Sequence, residues 1–292
     1  MKRSSAVICV ASVFVLAAGA LVGVSLVRKQ DIEFKTTTAI GQVEQADKVI
    51  VRIDELLTSE ADAHTPARIV TLEEDIAPAK THLAQASAAM EYVKKHGSKK
   101  QADKARAIRA SIDMRNNLLS MSPRLLEADR TAATSLIAAG SSWEFLNDGV
   151  TKANQALQIF STTDKRDINV SRNLNKEAEK SFMNAKRRLQ EAETAMPQAD
   201  FSTYSRYLDT RIAMSQAASD ADAYWMKNNL KEANKAIENH NKLSKKAVSI
   251  ADNELKPLSE IIVKAYEEQT GTFSEQYFAA RKKVALMDNQ IR

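Results

Sequence analysis

Catalysis or metal binding would require ionisable or nucleophilic side chains at workable spacings. The four histidines, His64, His82, His96 and His240, lie too far apart for an HExxH pair or a comparable ligand spacing on one helix. Carboxylates are plentiful, but the clusters Glu73-Glu74-Asp75, Glu191/Glu193 and Glu267-Glu268 sit beside lysines and arginines in helical surface patterns, which describes solvated faces and not acid–base pairs. No GxxxxGK[ST] phosphate loop, GxGxxG turn or GxSxG elbow occurs, and seven glycines leave little material for one. The single cysteine, Cys9, follows the bulky Ile8 inside an apolar run, so the rest of the chain has no disulfide, thiolate or cysteine metal site. No catalytic, cofactor-binding or metal-binding residue is assigned, and function is expected to reside in surfaces.

Two kinds of surface stand out. Lys94, Lys95, Lys99, Lys100, Lys104, Arg106 and Arg109, with only Asp103 among them, form the most basic stretch of the body. Such a stretch is either a solvated helix junction or a contact for anionic lipid or an anionic envelope polymer. Trp143 with Phe145, and Trp225 with Tyr224, are large apolar groups that serve either as plugs between helices or as anchors for a protein partner. Nucleic acid is not an expected partner, although the pI is 9.1 and the net charge +5. Lys2, Arg3, Arg28 and Lys29 supply four of those five charges, and the aromatics, at 5%, are scattered. The sequon Asn169-Val170-Ser171 has meaning only in a glycosylating pathway.

The elements that position these groups begin with an apolar segment. From Ala6 to Val27, through Leu16, Gly19 and Gly23, 22 residues carry no charge, and as a helix they measure about 33 Å, enough to span a bilayer core of about 30 Å. Met1-Lys2-Arg3 and Ala18-Gly19-Ala20 also suit a cleaved signal peptide. The run continues well beyond the roughly 7–15 residues of a signal core, so an uncleaved anchor is expected. Basic residues flank it on both sides; the signal-like start favours an extracytoplasmic body, against a secreted or cytoplasm-facing alternative. Gly19 and Gly23 have the small-xxx-small spacing of a homodimer contact between membrane helices.

The body is predicted to be all-α. Glycine and proline number only 7 and 5 and separate stretches rich in helix formers. Ile40, Val43, Ala46, Ile50, Ile53 and Leu57 share one helical face, as do Ile69, Leu72, Ile76, Leu83 and Met90, and a third stripe runs Val170, Leu174, Ala178, Phe182, Ala185, Leu189, Ala192, Met196. Helix starts are predicted at Thr65-Pro66, Ser98, Ser122-Pro123, Ser141 and Thr272, with further helices over 201–224, 226–254, 257–270 and 273–290. The chain divides into an anchor at 1–29 and helical regions at 30–160 and 161–292, in an elongated bundle or an array of helical hairpins. Ala79, Lys80, Leu83, Ala86, Ala89 and Met90 recur at identical spacing as Ala185, Lys186, Leu189, Ala192, Ala195 and Met196. Val150, Ala153, Asn154, Ala156 and Leu157 likewise parallel Leu230, Ala233, Asn234, Ala236 and Ile237. Internal duplication and agreement between Ala- and Lys-rich helices both account for this.

The expected function is a membrane-anchored, non-catalytic scaffold that binds other proteins at the cell envelope, with membrane lipid as a second partner and no cofactor. The alternatives are an extracytoplasmic sensory or ligand-binding bundle and a cytoplasm-facing division or cytoskeletal scaffold.

Overall fold

The structure, a computed structural model, describes residues 26–160 and 165–291. The described residues form seven helices: α1 (Leu26–Thr58), α2 (Thr65–His96), α3 (Lys99–Phe160), α4 (Lys165–Ala195), α5 (Ser202–Met226), α6 (Leu230–Asn253) and α7 (Leu258–Ile291). There is no strand among the described residues, as the scarcity of turn formers led one to expect. No helix among them is long and apolar enough to cross a membrane. The expected anchor, with Ala6, Leu16, Gly19 and Gly23, lies outside the described residues except for Leu26 and Val27, which open α1.

Several boundaries agree with sequence signals. The Ser98 amide donates to Gln101 Oε1 at 2.8 Å, and Ser98 Oγ accepts from the Gln101 amide at 3.4 Å, closing the capping box of α3. Asn228 adopts φ 57°, which asparagine tolerates, and the next residue, Asn229, caps α6 through the Glu232 amide. Three predicted starts fall instead inside helices. Ser122-Pro123 and Ser141 are interior to α3, and Thr272 is interior to α7. Ser122 Oγ donates to the Leu118 carbonyl within α3, and Ser142, next to Ser141, donates through Oγ to the Ala185 carbonyl on α4, both at 2.8 Å. At α2 the residue in the cap position is His64, without a side-chain cap, while the buried Thr65 hydroxyl bonds to the preceding turn at Asp62.

The chain forms two compact units. Unit 1 comprises Met1–Arg130 and Gln269–Arg292, and unit 2 comprises Thr131–Glu268. Their limits fall within α3 and α7, whereas the division drawn from sequence at 160/161 falls at the end of α3. Helix propensity runs uninterrupted through 130 and 268, so nothing local marks those positions.

In unit 1 an apolar core of Val43, Ile50, Ile53, Leu72, Ile76, Leu83 and Met90 joins α1 to α2, with Ile112, Leu119, Tyr277 and Val284 added from α3 and α7. Polar groups set the register. Arg115, only 1% exposed, donates through Nε and Nη2 to the two Asp47 oxygens at 2.7 and 2.9 Å, and through Nη2 and Nη1 to the two Asp288 oxygens at 2.7 and 3.1 Å. Ser111 bonds to both Arg115 and Asp288. One heptad along α1, Asp54 accepts from Tyr277 Oη at 2.8 Å and from Arg281 Nε at 2.6 Å. Asp47/Asp54 and Asp288/Arg281 thus form two polar layers that fix α7 antiparallel to α1. Burial alone would lower the proton affinity of Arg115; the hydrogen bonds and charges of Asp47 and Asp288 outweigh it and hold the guanidinium ionised.

Unit 2 is built on a seam of small residues. Ser135, Ser142, Gly149 and Ala156 recur every seven residues on α3, and Ser171, Ala178, Ala185 and Ala192 do so on α4; all are buried. The helices run antiparallel and close enough for Ser135, Ser142 and Ser171 to donate to the carbonyls of Ala192, Ala185 and Ala156 at 2.8–3.0 Å. The same spacing of buried alanines appears in unit 1 as Ala39 and Ala46 on α1 and Ala79 and Ala86 on α2. The first recurring sequence block thus carries one packing device in both units.

Replacing Arg115 with leucine leaves Asp47 and Asp288 buried without a cation, and should cost about 3–5 kcal/mol in urea unfolding followed by circular dichroism. A change under about 1 kcal/mol would show that the cluster does not hold the unit together. A Cβ at Gly149 meets the Phe182 ring at 2.6 Å, whereas at Gly140 it meets nothing within 4 Å. Gly149→Ala should therefore destabilise by about 1–3 kcal/mol and Gly140→Ala stabilise by up to about 1 kcal/mol. Equal effects from the two substitutions would contradict the close seam.

Candidate functional site

The basic stretch forms the corner between α2 and α3, and the structure resolves it into paired and unpaired cations. Glu91 draws in Lys94, Lys95 and Arg109, and Asp103 pairs with Arg106. Lys99, Lys100 and Lys104 have no carboxylate partner among the described residues. Tyr92 Oη donates to Asp31, and Lys35 Nζ stands 5.8 Å from the centroid of the Tyr92 ring. The corner therefore lies beside the first turns of α1. Phe34, 67% exposed, projects from those turns.

The two tryptophans differ. Trp143 is 48% exposed on α3, while Trp225, at the end of α5, is half-buried and meets Phe160 edge-to-face at 6.4 Å. Of the histidines, His82 bonds to Gln42, His96 packs on Tyr92, and His64 sits in the turn before α2. His240, half-buried on α6, lines a cavity. Among the described residues no group of three or more His, Cys, Asp or Glu could hold a metal ion.

That cavity, of about 320 Å³, lies within unit 2 between α3, α4, α5 and α6, within the size range of small-molecule sites. Leu157, Phe160, Met214 and Ile237 supply apolar wall, and Asn154, His240, Asn241 and Ser244 polar rim. At one end Asp222, 1% exposed, accepts from Ser171 Oγ at 3.0 Å and Asn175 Nδ2 at 3.1 Å, both on Oδ2. Burial pushes its carboxyl up to about 6, although Ser171, Asn175 and the charge of Arg172 pull the other way. Arg211 lines the same cavity from eleven residues earlier on α5, about three turns or roughly 16 Å along the axis. Burial lowers its proton affinity, its Nε is buried without a hydrogen-bond partner, and its guanidinium lies 5.1 Å from the Phe182 ring centroid.

Asp222, Asn175 and Arg211 are not picked out by motif or apolar periodicity, and Ser171 figures only as the last residue of the sequon Asn169-Val170-Ser171. The stripe expected through Val170 and Leu174 is displaced at this end: Val170 is exposed, Leu174 only half-buried, and the buried positions are Ser171 and Asn175. A usable signal exists, because Ile168, Asn175, Phe182, Leu189 and Met196 recur every seven residues with one polar member. No family model matches the chain, and no curated protein or solved structure is detectably similar to it.

The Asp222 proton affinity is higher folded than unfolded, so the folded state binds more protons between the ordinary carboxyl value of 3.8 and about 6. This group's contribution to stability should thus rise as pH falls through about 6 towards 4, opposite in sign to a carboxylate held below its ordinary value. Asp222→Asn should abolish that component, seen as a smaller gain in Tm between pH about 7 and 5 than for the unaltered chain. Identical pH profiles for the two would mean that Asp222 is solvated.

Proposed function

We propose that the chain is a non-catalytic, single-pass membrane protein whose helical body stands at the bilayer surface and binds partners at the cell envelope. The observation that carries this is the end of unit 1 where α1 begins: the unpaired Lys99, Lys100 and Lys104 belong to the corner beside the first turns of α1, the exposed Phe34 projects from those turns, and the turns follow directly on the apolar run in the chain. Lysines at a membrane surface attract anionic lipid by about 1 kcal/mol each, and an aromatic beside them suits the headgroup layer. Tethering would raise the effective concentration of any partner in the same membrane, with exposed Trp143 available as an anchor for it. A second reading, a ligand-binding sensory bundle, is favoured by the cavity between Asp222 and Arg211.

The tether is tested by alkaline carbonate extraction, in which the full chain should stay with the membrane. Release into the supernatant would sink the anchored reading. For the lipid surface, amide exchange across 94–109 should be slower in nanodiscs containing phosphatidylglycerol than in pure phosphatidylcholine, and the triple variant K99Q/K100Q/K104Q should lose the difference. Equal exchange of the unaltered chain in both lipids would rule out the basic corner as a lipid contact. A reporter fused to the C-terminus and active only outside the cytoplasm is expected for the extracytoplasmic orientation.

A further inference from the structure

Arg115 and Arg211 differ in how the fold answers their charge. Arg115 is enclosed, and each of its three guanidinium nitrogens donates to a carboxylate or hydroxyl. Arg211 is half-buried, and among the described residues no carboxylate lies within ion-pair distance; its guanidinium stands over the Phe182 ring, with Tyr207 close enough to act on its charge. Other arginines share its unbonded buried Nε, but their charges are answered: Arg109 pairs with Glu91, Arg188 pairs with Glu191, and Arg172 acts on Asp222. A guanidinium cannot shed its proton in a protein and presents five donors in a fixed fork matched to a carboxylate. Burying it unpaired is costly, and such groups in folded proteins are ordinarily satisfied. Arg211 lines a cavity with room for the missing partner.

We propose that this cavity binds a small amphipathic organic anion, with a carboxylate on Arg211 and an apolar body against Leu157, Phe160, Met214 and Ile237. Asp222 sets the direction. It lies about three turns away along α5, and its charge repels an anion from that end while Arg211 attracts it to the other. Among the described residues His240, on α6, is the only other titratable side chain lining the cavity. The proposal rests on the ligand-binding reading of unit 2 and is independent of the membrane tether.

The test uses the full chain in nanodiscs with Trp143 replaced by phenylalanine, so that emission reports on Trp225, which packs against the cavity-lining Phe160. Three probes share one apolar body: phenylbutyrate, phenylbutanol and phenylbutylamine. Phenylbutyrate should change the emission saturably, with the alcohol and the amine binding at least about tenfold more weakly, the difference expected of a charge-assisted bidentate pair. Arg211→Gln should weaken phenylbutyrate by about tenfold or more with circular dichroism and Tm preserved, and Asp222→Asn should bind it at least as tightly as the unaltered chain. Alcohol or amine binding as tight as the acid, or no loss in Arg211→Gln, would overturn the anion assignment and leave a binding cavity of other specificity. No saturable response to any of the three would overturn the site, and with it the ligand-binding reading.

Discussion

The close approach of α3 and α4 constrains unit 2. Helices separated by ordinary apolar side chains can slide and rotate with modest penalty, because dispersion contacts are non-directional. Here Ser135, Ser142, Gly149 and Ala156 meet Ser171, Ala178, Ala185 and Ala192, and the gap is small enough for serine hydroxyls to reach the opposing carbonyls. Three such bonds at heptad intervals allow one register. The seam also determines where packing stops. At its last layer Ser171 bonds both the Ala156 carbonyl and Asp222, so the final member of the packing device is the first member of the polar end of the cavity.

Unit 1 reaches the same end, a single register, by opposite chemistry. Between α1, α3 and α7 the fixed points are ionic: Arg115 between Asp47 and Asp288, and Arg281 with Tyr277 on Asp54. A buried ion pair adds little net stability over a well-packed apolar substitute, but it penalises wrong alignments heavily, since any slip strands a charge. In a core of aliphatic side chains whose contacts are non-directional, that penalty is an effective way to select one alignment. Arg211 shows what the same residue type looks like where no described carboxylate pairs with it.

Much of this was visible in the amino-acid sequence. Low glycine and proline content, together with stripes such as Ile69–Leu72–Ile76–Leu83–Met90, determined the helical class and the buried face of α2, because a helix must hide the stripe that repeats with its own period. The Ser98–Gln101 box marked a true start for the same kind of reason: its hydrogen bonds are local. Identical local signals at Ser122, Ser141 and Thr272 did not start helices. There Ser122 bonds back to the Leu118 carbonyl within α3, Ser142 reaches the Ala185 carbonyl on α4, and packing of the continuing chain offsets the small cost of Gly140 or Gly271.

The tertiary structure alone decided which polar residues became interior. Periodicity of apolar residues placed Val170 and Leu174 on the core face, yet the fold buries Ser171 and Asn175, because their positions follow the seam of small residues and their hydrogen bonds are met by Asp222 on a helix some fifty residues away. Nor does anything around Arg115 and Arg211 in sequence distinguish the saturated cation from the unsaturated one. Helix formation depends on neighbours three and four residues apart and is written along the chain, whereas the partner of a buried charge is chosen by chain segments that meet only after folding.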